Sequence, residues 1–130
     1  MEKYHTWSLI LIAFFCLIPA FGFNASQTTA SIVWKDTSID IGEIPIKNPV
    51  KIEFSFKNPG MIPIIIREVK PSCGCTVADF PKQPILSGAE GKITVTYDAE
   101  VSGYFSKTIS VYSNTEENVT ELYIKGIVVK

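Results

Sequence analysis

The residues best equipped for chemistry are two cysteines one residue apart, in Pro71-Ser72-Cys73-Gly74-Cys75-Thr76. In an extended chain residues two apart project to the same side, so both sulfurs fall on one face. Gly74 between them admits backbone bends that a side chain would oppose. Three chemistries are open to such a pair. A disulfide across this spacing closes a tight ring, and the loop-entropy relation credits a loop of about three residues with only ~1.6 kcal/mol. Its favoured role is then a conformational lock on a strand-to-loop corner. The second is thiol–disulfide exchange, because strained or exposed disulfides are the labile ones. Exchange sites lower a thiol pKa with a helix N-terminus or a cation, and Lys70 is the only cation close in sequence. The third is binding of a soft ion such as Cu(I), although a closed zinc site wants about four Cys or His ligands.

What else is available depends on the amino-terminal segment. Lys3 and His5 form a short polar head, Trp7 opens an apolar run of about a dozen residues, and Pro19 ends it before Ala20-Phe21-Gly22. This is the pattern of a signal peptide over residues 1–22, cleaved near Gly22 with Ala25 as the second candidate. A bilayer span needs about 20 apolar residues, so no membrane span is expected after cleavage. Ala13-Phe14-Phe15 is too bulky for the small residues of a lipobox, which argues against lipidation at Cys16. Cleavage removes His5, the only histidine, and Cys16, leaving Cys73 and Cys75 as an even count in an oxidising compartment. Without imidazole a Ser-His-Asp triad is excluded. The acids, among them Asp36, Asp40, Glu43, Asp79 and Glu90, are spread through turns and strand faces and read as solvated charges. The expectation is a protein that is not an enzyme and needs no cofactor.

At 130 residues the chain holds one ordinary domain. Its net charge of -1, its single arginine (Arg67) and its scattered lysines exclude the clustered positive charge that a phosphate backbone requires. Residues 23–31 have no periodicity and read as a flexible lead-in, followed by a domain over 32–130. There Val50, Ile52, Phe54 and Phe56 alternate with Lys51, Glu53, Ser55 and Lys57, the pattern of a strand with one dry and one wet face. Asn58-Pro59-Gly60 supplies a turn. Further strands are predicted over 31–34, 38–41, 62–69, 91–97, 105–112 and 122–129. About seven short strands in this length point to an all-β, immunoglobulin-like β-sandwich, with a closed barrel as the alternative. The Cys…Trp…Cys spacing of antibody domains is missing, so the likeness is architectural. Trp34 and Tyr104 read as sandwich filling. Phe80, in an irregular proline-bearing segment near the cysteines, reads as an exposed contact residue.

Phe54-Ser-Phe-Lys-Asn58-Pro-Gly60, Ser72-Cys73-Gly74-Cys75-Thr76, Gly91-Lys-Ile93-Thr-Val95, Gly103-Tyr-Phe105 and Leu122-Tyr-Ile124-Lys-Gly126 lie in one stretch. Together they resemble the exported bacterial family marked by a Ser-Cys-Gly-Cys-Thr signature, domain of unknown function 1573. The resemblance runs from about Ile39 to Val129, with Ser87-Gly88 where the family tends to have Pro-Gly. It implies an immunoglobulin-like fold of the abnormal-spindle and hydin type, used as an interaction module, and assigns no activity. The expected function is an exported, non-enzymatic binding or structural module of the bacterial cell envelope, in the periplasm or at the cell surface. Its expected partner is another envelope protein or a glycan, and not nucleic acid. Gly74, Thr76 and Phe80 are the candidate contact residues. The rival is a thiol redox or soft-metal protein using Cys73 and Cys75. Amino-terminal sequencing of the exported protein should find a start just after Gly22 or Ala25; a start at Met1 would restore His5 to the working molecule.

Overall fold

Eight strands form among the described residues, the longer ones through alternation of apolar and polar side chains. They are β1 (Val33–Trp34), β2 (Ser38–Pro45), β3 (Val50–Lys57), β4 (Ile66–Pro71), β5 (Thr76–Asp79), β6 (Glu90–Tyr97), β7 (Gly103–Ser113) and β8 (Val119–Val129). The computed structural model describes Gly22 and residues 29–130. The rest of the leader expected over 1–22, with His5 and Cys16, lies outside the described residues, as does most of the 23–31 stretch. Among the described residues there is no helix.

The strands form two four-stranded sheets, ordered β1-β3-β6-β5 and β2-β8-β7-β4. All neighbours are antiparallel except β2 and β8, which run parallel. Two separate sheets with open edges make this a sandwich and not the alternative barrel. The register sets apolar residues opposite one another, Ile52 against Val95, Phe54 against Ile93 and Ile109 against Leu122. Phe54, Ile93, Val95, Ile109, Leu122 and Ile124 are completely buried between the sheets. Each such side chain contributes about 1.5–3 kcal/mol relative to an exposed one, so this interface dominates the fold.

The outer faces differ in chemistry. On the β3–β6 face, Lys92 Nζ pairs with Glu53 Oε1 at 2.7 Å and Lys57 Nζ with Glu90 Oε1 at 3.0 Å. These exposed pairs add little stability but keep that face wet. The β7–β8 face instead carries Tyr104, Tyr112 and Tyr123 among serines and threonines.

Several details differ from the sequence expectation of about seven strands, among them that β2 runs on to Pro45 beyond the expected 38–41. The additional strand is β5, which begins immediately after the cysteines and is only four residues long, too short to show alternation. The strand expected over 62–69 starts later, at Ile66. Pro63 cannot donate to a ladder, and Ile64 makes an isolated two-way bridge with Ile85 (N···O 2.9 and 2.8 Å). In the edge strand β2 the Asp40 carboxylate accepts a bond from Gly42 N at 2.9 Å, and Gly42 adopts φ 76°. The Gly42 carbonyl thereby lies over β8, where a Cβ on Gly126 would come within 2.7 Å of it.

Of the four buried polar residues among those described, Asn58, Thr76, Ser113 and Thr115, Asn58 is the most deeply enclosed. Asn58 is fully buried, donating through Nδ2 to the carbonyls of Ile62 and Ile85 at 2.9 Å each and accepting from Gly60 N at 3.0 Å. Its backbone also bonds both ways to the segment before β6. The Asn58-Pro59-Gly60 turn is therefore an anchored element and not merely a bend. Asn58→Ala should cost about 2–3 kcal/mol, since buried carbonyls lose their donor; urea denaturation measures it, and a loss under about 0.5 kcal/mol would contradict this role.

Candidate functional site at the disulfide corner

Cys73 and Cys75 form a disulfide with their Cα atoms 5.3 Å apart. The bond sits where the chain leaves β4 for β5. Those strands are outermost in their respective sheets, so the cysteines mark a crossing from one sheet to the other along one edge of the sandwich. The expected strand-to-loop corner is thus a corner between two sheets.

Each neighbour of the cysteines has a separate task. Ser72 N donates to the Thr108 carbonyl at 2.8 Å and Ser72 Oγ accepts from Thr108 N at 3.2 Å, which extends the β4–β7 pairing past Pro71. Thr76 N closes the turn onto the Cys73 carbonyl at 3.4 Å, and Asp98 N donates to the Cys75 carbonyl at 3.0 Å. The Thr76 hydroxyl is buried, 3.6 Å from Cys73 Sγ and 3.8 Å from Cys75 Sγ. Bonded sulfurs carry no hydrogen, so the hydroxyl is the donor, its one hydrogen shared between the two sulfurs. Gly74 differs from expectation. It is exposed, its φ lies outside the left-handed region, and a Cβ there would meet nothing within 4 Å. Neither backbone conformation nor crowding requires glycine at this position.

The corner belongs to a larger end of the sandwich. Lys47 N donates to the Ala99 carbonyl at 2.9 Å, joining the 46–49 turn to the 98–102 loop that also receives Cys75. Lys47 (φ 60°) and Ala99 (φ 55°) both occupy the left-handed region, a conformation non-glycine residues adopt at some cost and often at functional sites. Between the corner and the loop lies a groove of about 460 Å³, lined by Cys75, Tyr97, Asp98, Val101, Tyr104 and Lys107 among others. Tyr97 stacks on Phe105 at 4.2 Å between ring centroids. Burial first, and the Asp98 charge second, raise the Tyr97 phenol pKa above its ordinary value. Val101 is 74% and Tyr104 90% exposed. A larger depression of about 640 Å³ on the outer sheet face is also bordered by Tyr104.

Tyr104 is therefore not the sandwich filling that its place in a strand suggested, whereas Trp34 does pack inward, its ring centroid 4.9 Å from that of Phe56. Phe80 is corrected in the opposite sense. It is half-buried against the core, and Lys82 Nζ lies 3.2 Å from its ring centroid. It also stands at the far end of β5 from the disulfide, roughly 15 Å along the strand at about 3.3 Å per residue. The structure thus gathers Cys73, Gly74, Cys75 and Thr76 at one end of β5 and leaves Phe80 at the other. In the sequence Tyr104 can be read as a contact aromatic or as filling, and Val101 gives no signal beyond its polar neighbours, Glu100 and Ser102. Among the described residues no group of three or more His, Cys, Asp or Glu is placed to hold a metal ion, and the joined sulfurs offer no thiolate in this state.

Replacing both cysteines by serine should lower stability by no more than about 1.6 kcal/mol, the loop-entropy limit for so short a ring. Urea denaturation of the double variant checks this, and loss of the folded state would show that the bond carries the corner.

Solved structures of similar architecture place this fold. The PapD-like domain 7 of human CEP192 aligns with a TM-score of 0.65 at 9% identity, covering 79% of this chain and 88% of that one. A protein of unknown function from Porphyromonas gingivalis aligns at 0.68 and 18% identity, covering 82% of this chain and 51% of that one. The VesB protease of Vibrio cholerae aligns at 0.62 and 12% identity, covering 75% of this chain but 32% of that one. This chain thus spans about half of the second protein and a third of the third. At these identities the likeness shows the immunoglobulin-like, PapD-like fold alone. No curated protein matches. The family model described as "Protein of unknown function (DUF1573)" matches residues 32–128, well over half of the chain, and the chain belongs to that family.

Proposed function

We propose that this chain is an exported, non-enzymatic binding module of the bacterial cell envelope, working in the periplasm or at the cell surface with another envelope protein as its partner. The Ser72–Thr76 signature marks its contact end. The observation that carries this reading is the exposure of Tyr104 and Val101 on a groove shared with Cys75. A tyrosine left almost wholly in solvent between two depressions gains nothing for the fold. Tyrosine is the residue type that supplies large, rigid contact area at an interface. The loops around it are fixed by the Asp98–Cys75 and Lys47–Ala99 backbone bonds, so the surface is pre-organised and little ordering cost remains on binding. The leader pattern of residues 1–22 supports export, and the immunoglobulin-like fold suits an interaction module. A glycan is the second partner class, because stacking on a tyrosine face also serves sugars.

The test is capture of partners from envelope extract by the mature domain, identified by mass spectrometry and then measured with the purified partner. Tyr104→Ala should weaken that affinity about tenfold or more, as expected of an interface aromatic anchor, while leaving the melting temperature unchanged. Cys73→Ser with Cys75→Ser should leave affinity within about threefold. Equal affinity of Tyr104→Ala and wild type would rule out this surface.

A further inference from the structure

We propose that Cys73–Cys75 is a thiol–disulfide exchange site, able to cycle between disulfide and dithiol while the domain stays folded and to trade two electrons with a partner protein's dithiol. This activity does not depend on the binding reading; it adds thiol–disulfide chemistry at Cys73 and Cys75 to a module read as non-enzymatic on its binding surface alone. Three observations converge. First, the corner has its own fastenings. The bonds between Ser72 and Thr108, from Thr76 N to the Cys73 carbonyl, and from Asp98 N to the Cys75 carbonyl involve no sulfur. Opening the S–S bond leaves all of them in place. Second, both cysteines are partly exposed at an edge of the sandwich, and Cys75 lines an open groove. A thiolate can reach the pair without unfolding the protein. Third, the groups around the sulfurs suit a leaving thiolate. The buried Thr76 hydroxyl already donates towards both sulfurs, and Lys107 lines the same groove as Cys75.

Lys107 is the element invisible in sequence. It lies 32 positions beyond Cys75 and occupies an inward-facing position of β7, between Phe105 and Ile109. Its partly buried side chain reaches the groove, which also holds the carboxylates of Asp98 and Glu100. Asp98 Oδ1 is already engaged by Glu100 N at 3.2 Å. Thr76 is the hydroxyl in contact with the sulfurs, and Lys107 is a cation on the groove that Cys75 lines.

The exchange runs in two steps. A thiolate of the partner dithiol attacks Cys73 Sγ; a new S–S bond forms, the Cys73–Cys75 bond breaks, and its electron pair leaves on Cys75 Sγ as a thiolate. That thiolate receives the Thr76 hydrogen bond, and a leaving sulfur so stabilised departs faster. The partner's second thiolate then attacks its own sulfur in the mixed disulfide and releases the Cys73 thiolate. The two cysteines have been reduced by two electrons and protonate from solvent, and the partner dithiol has become a disulfide. The reverse sequence oxidises a partner instead.

The experiment uses dithiothreitol as the dithiol probe and glutathione disulfide as the oxidant, on the mature domain in buffer without denaturant. Intact mass after alkylation follows the thiols, and tryptophan fluorescence follows the fold. The expected result is complete reduction and reoxidation with a native fluorescence spectrum throughout. Thr76→Val should be reduced about tenfold more slowly, the effect of losing a hydrogen bond to a charged group. Thr76→Ser, which keeps the hydroxyl, should stay within about threefold of wild type. Reduction that requires denaturant, reduction that unfolds the domain, or equal rates for Thr76→Val and wild type would each overturn the proposal.

Discussion

Two sheets can share one dry interface only if each strand turns alternate residues towards the other sheet, and the chain must cross between sheets without leaving backbone groups unpaired. Burial of Phe54, Ile93, Val95, Ile109, Leu122 and Ile124 meets the first demand. The second is harder, because strands that follow one another in sequence lie in different sheets for β1 to β5 and again from β6 to β7. At every such crossing the polar backbone passes the rim of an apolar layer. Among the described residues, the buried polar ones sit at these rims and at the hairpin ends. Asn58 holds the crossing from β3 to β4 by bonding carbonyls from two other segments. Ser113 and Thr115, buried at the β7–β8 connection, bond to each other at 2.9 Å. At the β4–β5 corner the backbone is paired instead by Thr76 N on the Cys73 carbonyl and Asp98 N on the Cys75 carbonyl.

The cysteine corner is thus one of several solved crossings, and the only one of them reinforced by a covalent bond. Its hydrogen bonds resemble those at crossings that have no sulfur, and a ring this small restricts the unfolded chain very little. The bond therefore adds a chemical capability to the corner more than it adds stability. The other unusual features of this end are consistent with use. Lys47 and Ala99 accept left-handed conformations, and Tyr104 and Val101 remain in solvent beside the groove that Cys75 lines.

Much of the fold was legible in the residues because alternation is a local property. The β3 pattern Val50, Ile52, Phe54, Phe56 and the β6 pattern Ile93, Val95, Tyr97 face the core as their periodicity requires. What escaped was non-local. A four-residue strand such as β5 has too few positions to display a period, and only pairing with β6 reveals it. Tyr104 and Phe80 exchanged roles, since whether an aromatic faces the core depends on where the strand begins and on what covers it; Lys82 covers Phe80. Asn58 looked like an ordinary turn residue, because its carbonyl partner at Ile85 lies 27 positions away. The position of the cysteine pair was clear from spacing, whereas the groups that surround it, Lys107 and Asp98, come from β7 and the end of β6 and could be found only in three dimensions.

Backbone and side-chain hydrogen bonds, and not the sulfur–sulfur bond, hold the β4–β5 corner. Amide hydrogen exchange of the oxidised and fully reduced domain measures this residue by residue, at Ser72, Thr76, Asp98 and Thr108. Protection at all four amides should survive reduction nearly unchanged, because each keeps its acceptor. Exchange at these sites rising to the rate of an open chain, with the core amides of β3 and β6 still protected, would contradict the account.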